Sequence, residues 1–507
     1  MTTKGFESIF IDEPLLTFGE GKQYIDPKWG LKAYGPCLYN NRHAIASALK
    51  IGIIGSKETI SLAEQWISRC QGEIAGKKED SLLFQSFPGF TKLFGCELKV
   101  LSECIEVLSG SEIGQIIKIP NFRKRVGSAA KLFIDKLNNL HQREPRPHVV
   151  ICAIPQTIIN TCGRKKMGFF EDEDEVTPQE KEIMEMLEDY RRTDKEPAYL
   201  EDNVLDIIPE ASDLRRIIKA EAMCLGIPTQ LAKPTTFKSS PKEASLQDDA
   251  TRAWNFCVAL YYKAEGYPWK LAHMKEGTCY VGISFYKDPV SPNRVRTSVA
   301  QVFTHTGEGL VLKGGRAIID ENNKSPYLSK EAAFKLMNDI LQVYKNQMHV
   351  LPTRLVVHKS SRYRPEELTA FNEASKDVGL KDFITVLTRG IRFMRQKGAL
   401  PKYPPLRGTA VKVATDDWVF FTKGWIPFFE TYPGLRVPTP IEVVEHHGDS
   451  PLKVIFEEIL ALTKMNWNSA DFCIREPITL AYSREVGKIL AYVPEEVNAR
   501  PEYLYYM

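Results

Sequence analysis

A chain of 507 residues, 43% hydrophobic and 26% charged, has the balance of an ordinary soluble globular protein and the length for roughly two to four domain-sized units. Its formal net charge of +3 neither demands nor excludes nucleic acid, because a basic groove can be offset by acidic surface elsewhere. Ten cysteines without a C-x-x-C pair argue against zinc and disulfide frameworks, and the absence of an N-terminal h-region or a spanning apolar run argues against a membrane protein, so a reduced, cytoplasmic chain is expected.

The first hundred residues read as short strands and turns, punctuated by Asp26-Pro27, Gly30, Gly35-Pro36 and Phe87-Pro88-Gly89-Phe90. Ile51 to Ile54 is a compact apolar run that predicts a buried strand, and Ser56-Lys57-Glu58 starts a helix towards Cys70. A helix around Ala129 to Leu140 leads into Val149 to Ile154, uniformly apolar as in a parallel sheet covered on both faces. This alternation predicts a doubly wound α/β unit. Between Arg164 and Asn203 the charge run Glu171 to Glu175 reads as a solvated insertion, or else as a gate or partner-binding segment.

A helix capped by Ser212 follows, with Leu214, Ile217, Ile218, Ala222 and Leu225 on one apolar face. Arg215 and Lys219, four apart, stack at the edge of that face; Gly226 and Pro228 end the helix before Thr229 and Gln230. A fixed cation pair beside a turn suits a terminal phosphate, although by itself it is more often a solvated helix face. The next helix, Asp249 through Tyr262, ends in Tyr262-Lys263-Ala264-Glu265-Gly266.

From Cys279 the pattern changes to strands at 279–286, 294–305 and 310–319, a helix from Lys330 to about Gln347, a strand at Arg354 to His358, and a helix opened by Pro365. Strands at 384–387, 409–413 and 418–422 precede a last clear helix over 452–465. This order matches an RNase H-like domain among several α/β topologies. Arg389, Arg392, Arg395 and Lys397 surround Phe393, and Lys402, Arg407 and Lys412 follow; these are candidate contacts to nucleic-acid phosphates or simply an exposed basic loop. His446-His447 reads as a loop pair rather than a metal site.

The separated elements agree with one family. Arg215, Lys219, Thr229-Gln230 and Tyr262 to Gly266, followed by Val281-Gly282-Ile283, Pro352 to His358 and Pro477-Ile478-Thr479-Leu480-Ala481, resemble the MID and PIWI halves of an Argonaute. The opening Phe18-Gly19, Asp26-Pro27, Gly30-Leu31 and Gly35-Pro36 is similar to short prokaryotic members. The resemblance implies a Rossmann-like MID domain over 1–264 followed by an RNase H-like PIWI domain over 265–507. It implies that Arg215, Lys219, Gln230 and Lys263 hold the 5′-phosphate of a guide. It also implies Mg²⁺ at that phosphate, bound partly by the C-terminal carboxylate of Met507. Arg215 stands where other members have Tyr or His.

The positions of the family's metal-binding carboxylates are met here by Ser284, Ser360 and Tyr482. Two-metal hydrolysis needs several convergent carboxylates, so an inactive PIWI is expected. Asp288, which shares a strand face with Ser284, reads as a turn residue before Pro289. The family then implies a guide RNA, a single-stranded DNA target, and a partner with an APAZ region fused to an effector: a sirtuin-like or TIR NADase, or a nuclease. The alternatives are a guide-dependent RNase H-like endonuclease with non-standard metal ligands, and a structural subunit that needs no guide.

Overall fold

The apolar run at Ile51–Ile54 lies at the centre of a four-stranded sheet, ordered Glu97–Val107, Ala48–Gly55, Val149–Ala153 and Thr229–Ala232, in which every pairing is parallel. The structure is a computed structural model and describes residues 7–37, 47–77, 82–163, 213–238, 247–287, 295–303, 309–320, 322, 325–388, 394, 404–434, 437–493, 497 and 499–507. Every residue of Val149–Ala153 is buried, because helices cover both faces. Leu49, Ile51 and Ile53 pack to one side with the Lys57–Gln71 helix; Ile54, Val150 and Cys152 pack to the other with Phe122–His141 and Leu214–Leu225. The doubly wound expectation holds.

Helix starts follow their caps. Ser56 accepts from Thr59 N at 3.3 Å, as its position in the sequence suggests. Asn121 accepts from Lys124 N at 2.8 Å and starts the second helix seven residues before Ala129. The cap of Leu214–Leu225 is Asp213, not Ser212: its carboxylate accepts from Arg216 N at 3.2 Å and also meets the Arg216 guanidinium at 3.4 Å, a pairing that a serine hydroxyl cannot offer. Ser212 and the charge run of 164–203 lie outside the described residues.

The second sheet has nine strands. Gly309–Arg316, Val295–Phe303 and Thr278–Lys287 are antiparallel; Arg354–Lys359 and Leu380–Leu387 then add in parallel to Thr278–Lys287. Three antiparallel strands followed by two parallel ones give the RNase H-like order. Ile441–Gly448, Trp418–Phe421, Thr409–Lys412 and Ser8–Phe10 extend the sheet. Lys330–Met348 and Pro365–Ala374 cover the face bearing Cys279, Val281, Ile283, Leu355 and Val357. Leu452–Leu462 and Ile478–Leu490 cover the other.

Two elements differ from the sequence reading. Ile478–Leu490 is a 13-residue helix beyond the last one expected; its open face is the narrow stripe of Arg484, Glu485 and Lys488, and the burial of Thr479, Tyr482 and Ser483 beside its apolar residues blurs the period that would reveal it. His446-His447 lies on a strand rather than in a loop, and His446 Nε2 is 2.9 Å from Asp382 Oδ1. That carboxylate also accepts from Arg354 Nη2 and Ser450 Oγ, each at 2.7 Å, so His446 belongs to a buried polar network. All ten cysteines are free, and no described helix is long and apolar enough to cross a membrane.

The N-terminal segment is tied into the nine-stranded half. Leu16–Thr17 pairs with Lys270–Leu271, and Glu13 enters the interior, with Oε2 2.8 Å from Arg407 Nε and Oε1 3.0 Å from Lys464 Nζ. Both cationic side chains are wholly buried, so Arg407 is a structural partner of Glu13 rather than a contact to nucleic-acid backbone. Lys412 stays at the surface, 3.4 Å from Glu7. Burial alone would raise the pKa of Glu13; the Arg407 and Lys464 cations more than offset it and hold the carboxyl below its ordinary value. Glu13→Gln is expected to cost about 3–5 kcal/mol by leaving two buried cations short of a counter-charge. Urea denaturation measures this, and an unchanged midpoint refutes it.

Candidate nucleic-acid interface

The Leu214–Leu225 helix brings Arg215 and Lys219 one turn apart, and Gly226, at φ 70°, closes it in the left-handed conformation that glycine adopts freely. The chain then turns into Thr229–Ala232, beside the end of Asp249–Lys263. Lys219 is only 1% exposed, inside the fold rather than at the edge of the helix face, and its Nζ donates to Thr229 O. Lys263, in the last turn of its own helix, is likewise 1% exposed, and its Nζ donates to Gln230 Oε1. Arg215 is exposed at the mouth. The fold therefore brings together all four residues that the sequence nominated for a phosphate.

The electrostatics are those of a site short of an anion. Burial holds the Lys219 ammonium well below its ordinary pKa, and the Lys263 and Arg215 cations lower it further. Burial and then Arg215 bring Lys263 down to about 7. Among the described residues no side-chain carboxylate acts on either lysine. Buried cations ordinarily have an acidic partner, because desolvation without one costs several kcal/mol. Here each ammonium meets a neutral carbonyl or amide oxygen instead. The hydrogen bonds are satisfied and the charge is not.

An aromatic wall that the sequence analysis missed stands behind the lysines. The Tyr503–Tyr505 turn packs against both helices, and Tyr503, Leu504, Tyr505, Tyr506 and Met507 are all buried. Tyr482 stacks on Tyr503 at 3.5 Å between centroids, and Tyr262 lies 4.6 Å from the Trp467 ring. The density of tyrosines in 503–506 was the only available signal. Met507 is thus placed in the segment that closes over the two helices. Among the described residues no group of three His, Cys, Asp or Glu side chains gathers as a metal site.

The strand ends of the nine-stranded sheet form the other candidate centre. Ser284 is 1% exposed, and its hydroxyl has no partner. Ser360 lies beside it, its N–H bonded to Ile283 O at 3.0 Å. His358 is buried, with Nδ1 2.8 Å from Thr479 Oγ1; burial, then Arg354, holds its pKa down to about 3, so the imidazole is neutral. Lys359 is paired at 2.8 Å with Glu367. Tyr482 does not join Ser284 and Ser360 here. Its hydroxyl accepts from Trp467 N and donates to Met465 O, both at 3.3 Å, and its ring belongs to the wall behind the lysines. Arg389, Arg392, Arg395 and Lys397, along with Asp288, lie outside the described residues.

No family model matches the chain. Two curated relatives are Argonautes: one from Aquifex aeolicus, 21% identical over 331 residues, and one from Cereibacter sphaeroides, 25% identical over 301. These alignments take in 64% and 54% of this chain but 41% and 37% of the relatives, so the chain spans about two fifths of their length. Solved structures share the fold over nearly all of the chain. Clostridium butyricum Argonaute bound to a guide DNA and a 19-mer target DNA aligns with TM-score 0.60 and 18% identity, over 98% of this chain and 54% of that one. A. aeolicus Argonaute aligns with TM-score 0.57 and 16% identity, over 99% and 56%. Sequence relatives and structural neighbours alike support the Argonaute family.

The uncompensated lysines predict a conflict between stability and binding. Lys263→Met keeps a long apolar stem and removes the charge, so it is expected to stabilise the ligand-free protein by about 1–3 kcal/mol near pH 6.5. A folded pKa near 7, below the unfolded value, means that the unfolded chain binds more protons between the two, so this residue's destabilisation is full below pH 7 and shrinks as pH rises. The gain should therefore be smaller at pH 9. A denaturation midpoint lowered at both pH values contradicts this.

Proposed function

We propose that this Argonaute-like chain holds the 5′-phosphate of a guide RNA with Arg215, Lys219, Gln230 and Lys263, and recognises complementary single-stranded DNA by base pairing. The observation that carries the reading is the buried Lys219–Lys263 pair with Arg215 at its mouth and, among the described residues, no side-chain carboxylate acting on either lysine. A terminal phosphate supplies the missing anion, and each charge-assisted hydrogen bond to it contributes about 1.5–3 kcal/mol. Pairing would read the sequence while the protein holds the backbone and the guide end, as in other guided systems. The choice of RNA for the guide rests on the resemblance to short prokaryotic members. Magnesium there would take most of its shell from phosphate and water, with the Met507 carboxylate as the chain's contribution.

The same reading makes the chain a binder rather than a nuclease. Ser284, Ser360 and the neutral His358 cannot neutralise two dications at the strand ends, where a cleavage reaction would need carboxylates. Catalysis would then reside in an APAZ-bearing partner, an NADase in first place, switched on when the target is paired.

Two measurements test this. Fluorescence anisotropy with 5′-phosphorylated and 5′-hydroxyl guides should show a phosphate preference. Lys219→Ala/Lys263→Ala together should reduce that preference by about a hundredfold or more, from two bonds lost; an unchanged preference sinks the assignment. Guide-loaded protein with labelled complementary DNA and Mg²⁺ or Mn²⁺ should leave the target intact. A specific cut opposite the guide would instead establish an RNase H-like endonuclease with unusual ligands.

A further inference from the structure

We infer that the pocket takes up protons as it takes up the guide, so that it becomes fully cationic only when a terminal phosphate arrives. This rests on the phosphate-binding reading above and concerns how that site is charged. The geometry supplies the first argument. Lys219 and Lys263 come from two helices into one buried space, each donating to a neutral acceptor, Thr229 O and Gln230 Oε1. A neutral amine keeps N–H donors, so both bonds survive loss of the proton. A carboxylate would have pinned the ammonium form; among the described residues no side-chain carboxylate does.

The surrounding groups leave the two lysines as the pair that titrates. On the Leu214–Leu225 helix, Arg215 is permanently charged and Arg216 is engaged with Asp213. Cys152, from the strand beneath, acts on Lys219, but burial pushes its thiol up to about 12, so it is neutral between pH 6 and 9. Burial likewise raises Tyr503 and Tyr505 of the C-terminal turn, keeping both phenols neutral there. The nearby acids Glu265, Glu485 and Glu502 bear on those tyrosines and not on the lysines. With its pKa near 7, Lys263 is largely discharged at pH 8 in the empty pocket, and the Lys219 ammonium is destabilised in the same direction. A phosphate in contact reverses this, because an adjacent opposite charge favours the ammonium form.

The ligand contributes little proton change at that pH, and its own effect has the opposite sign. A phosphate monoester has its second pKa near about 6, so at pH 8 it enters as the dianion, whereas below that pKa it would shed a proton on binding. Uptake at pH 8 is therefore a signature of the lysines. It also favours selectivity: a site with Lys263 discharged attracts stray anions less, and a 5′-hydroxyl end offers nothing to recharge it.

The test is calorimetry of guide binding at pH 8 in two buffers of different ionisation enthalpy, with EDTA present so that no divalent cation contributes. A 5′-phosphorylated guide should take up about one proton or more, and a 5′-hydroxyl guide about none. The phosphate preference should fall about tenfold per pH unit for each proton between pH 7 and 9. Lys263→Arg, which cannot discharge, should flatten that slope. A clear phosphate preference with buffer-independent heats and a flat pH profile overturns the coupling and leaves the proposed function standing. Absence of any phosphate preference at any of these pH values overturns both.

Discussion

Two lysines buried with no described side-chain carboxylate acting on them set the terms for the first half of this protein. Folding Lys219 and Lys263 into the space between two helices costs stability that a hydrophobic pair would not. The cost is moderated by neutral acceptors and by loss of protons, and it is offset in full only by an external anion. A site of this kind is stabilised by what it binds. Its geometry is set by rigid parts: a glycine-closed helix end, a short parallel strand and the last turn of a second helix.

The second half shows the reverse arrangement, a polar interior in which charges are paired. Glu13 meets Arg407 and Lys464; Arg354 meets Asp382; Lys359 meets Glu367. These pairs lie at the junctions of the nine-stranded sheet with its helices and N-terminal segment, where unpaired charge would destabilise the scaffold. At the strand ends where an RNase H-like enzyme needs carboxylates, the sheet instead carries a serine hydroxyl without a partner and a neutral histidine. The topology is kept, while these described positions at the strand ends are not carboxylates. Among the described residues, Lys219 and Lys263 are buried with no side-chain carboxylate acting on them, and that is the site proposed for a terminal phosphate.

The fold was legible because it is written in patterns that chain geometry imposes. A uniformly apolar Val149–Ala153 demands cover on both faces, and Ser56 and Pro365 mark helix starts by local hydrogen bonding and fixed φ. Legibility failed where burial erased the pattern. Ile478–Leu490 buries Thr479, Tyr482 and Ser483 among its apolar residues, which blurs the period marked by its half-exposed Arg484, Glu485 and Lys488. Arg407 read as part of a basic surface because sequence spacing cannot show a carboxylate almost four hundred residues away. His446 read as a loop residue for the same reason: its partner, Asp382, belongs to a neighbouring strand.

By itself, the sequence determined the two α/β units, their order, and the residue types at each candidate site, since propensity, periodicity and short-range spacing are local properties. It also nominated Arg215, Lys219, Gln230 and Lys263 by resemblance. Only the tertiary structure decided that Lys219 and Lys263 lie in one buried space with no described side-chain acid acting on them, and that Tyr482 stacks on Tyr503 with its hydroxyl engaged by Trp467 and Met465. Desolvation and charge balance depend on what is packed around a group from every direction. That sum is a property of the folded chain and of no segment within it.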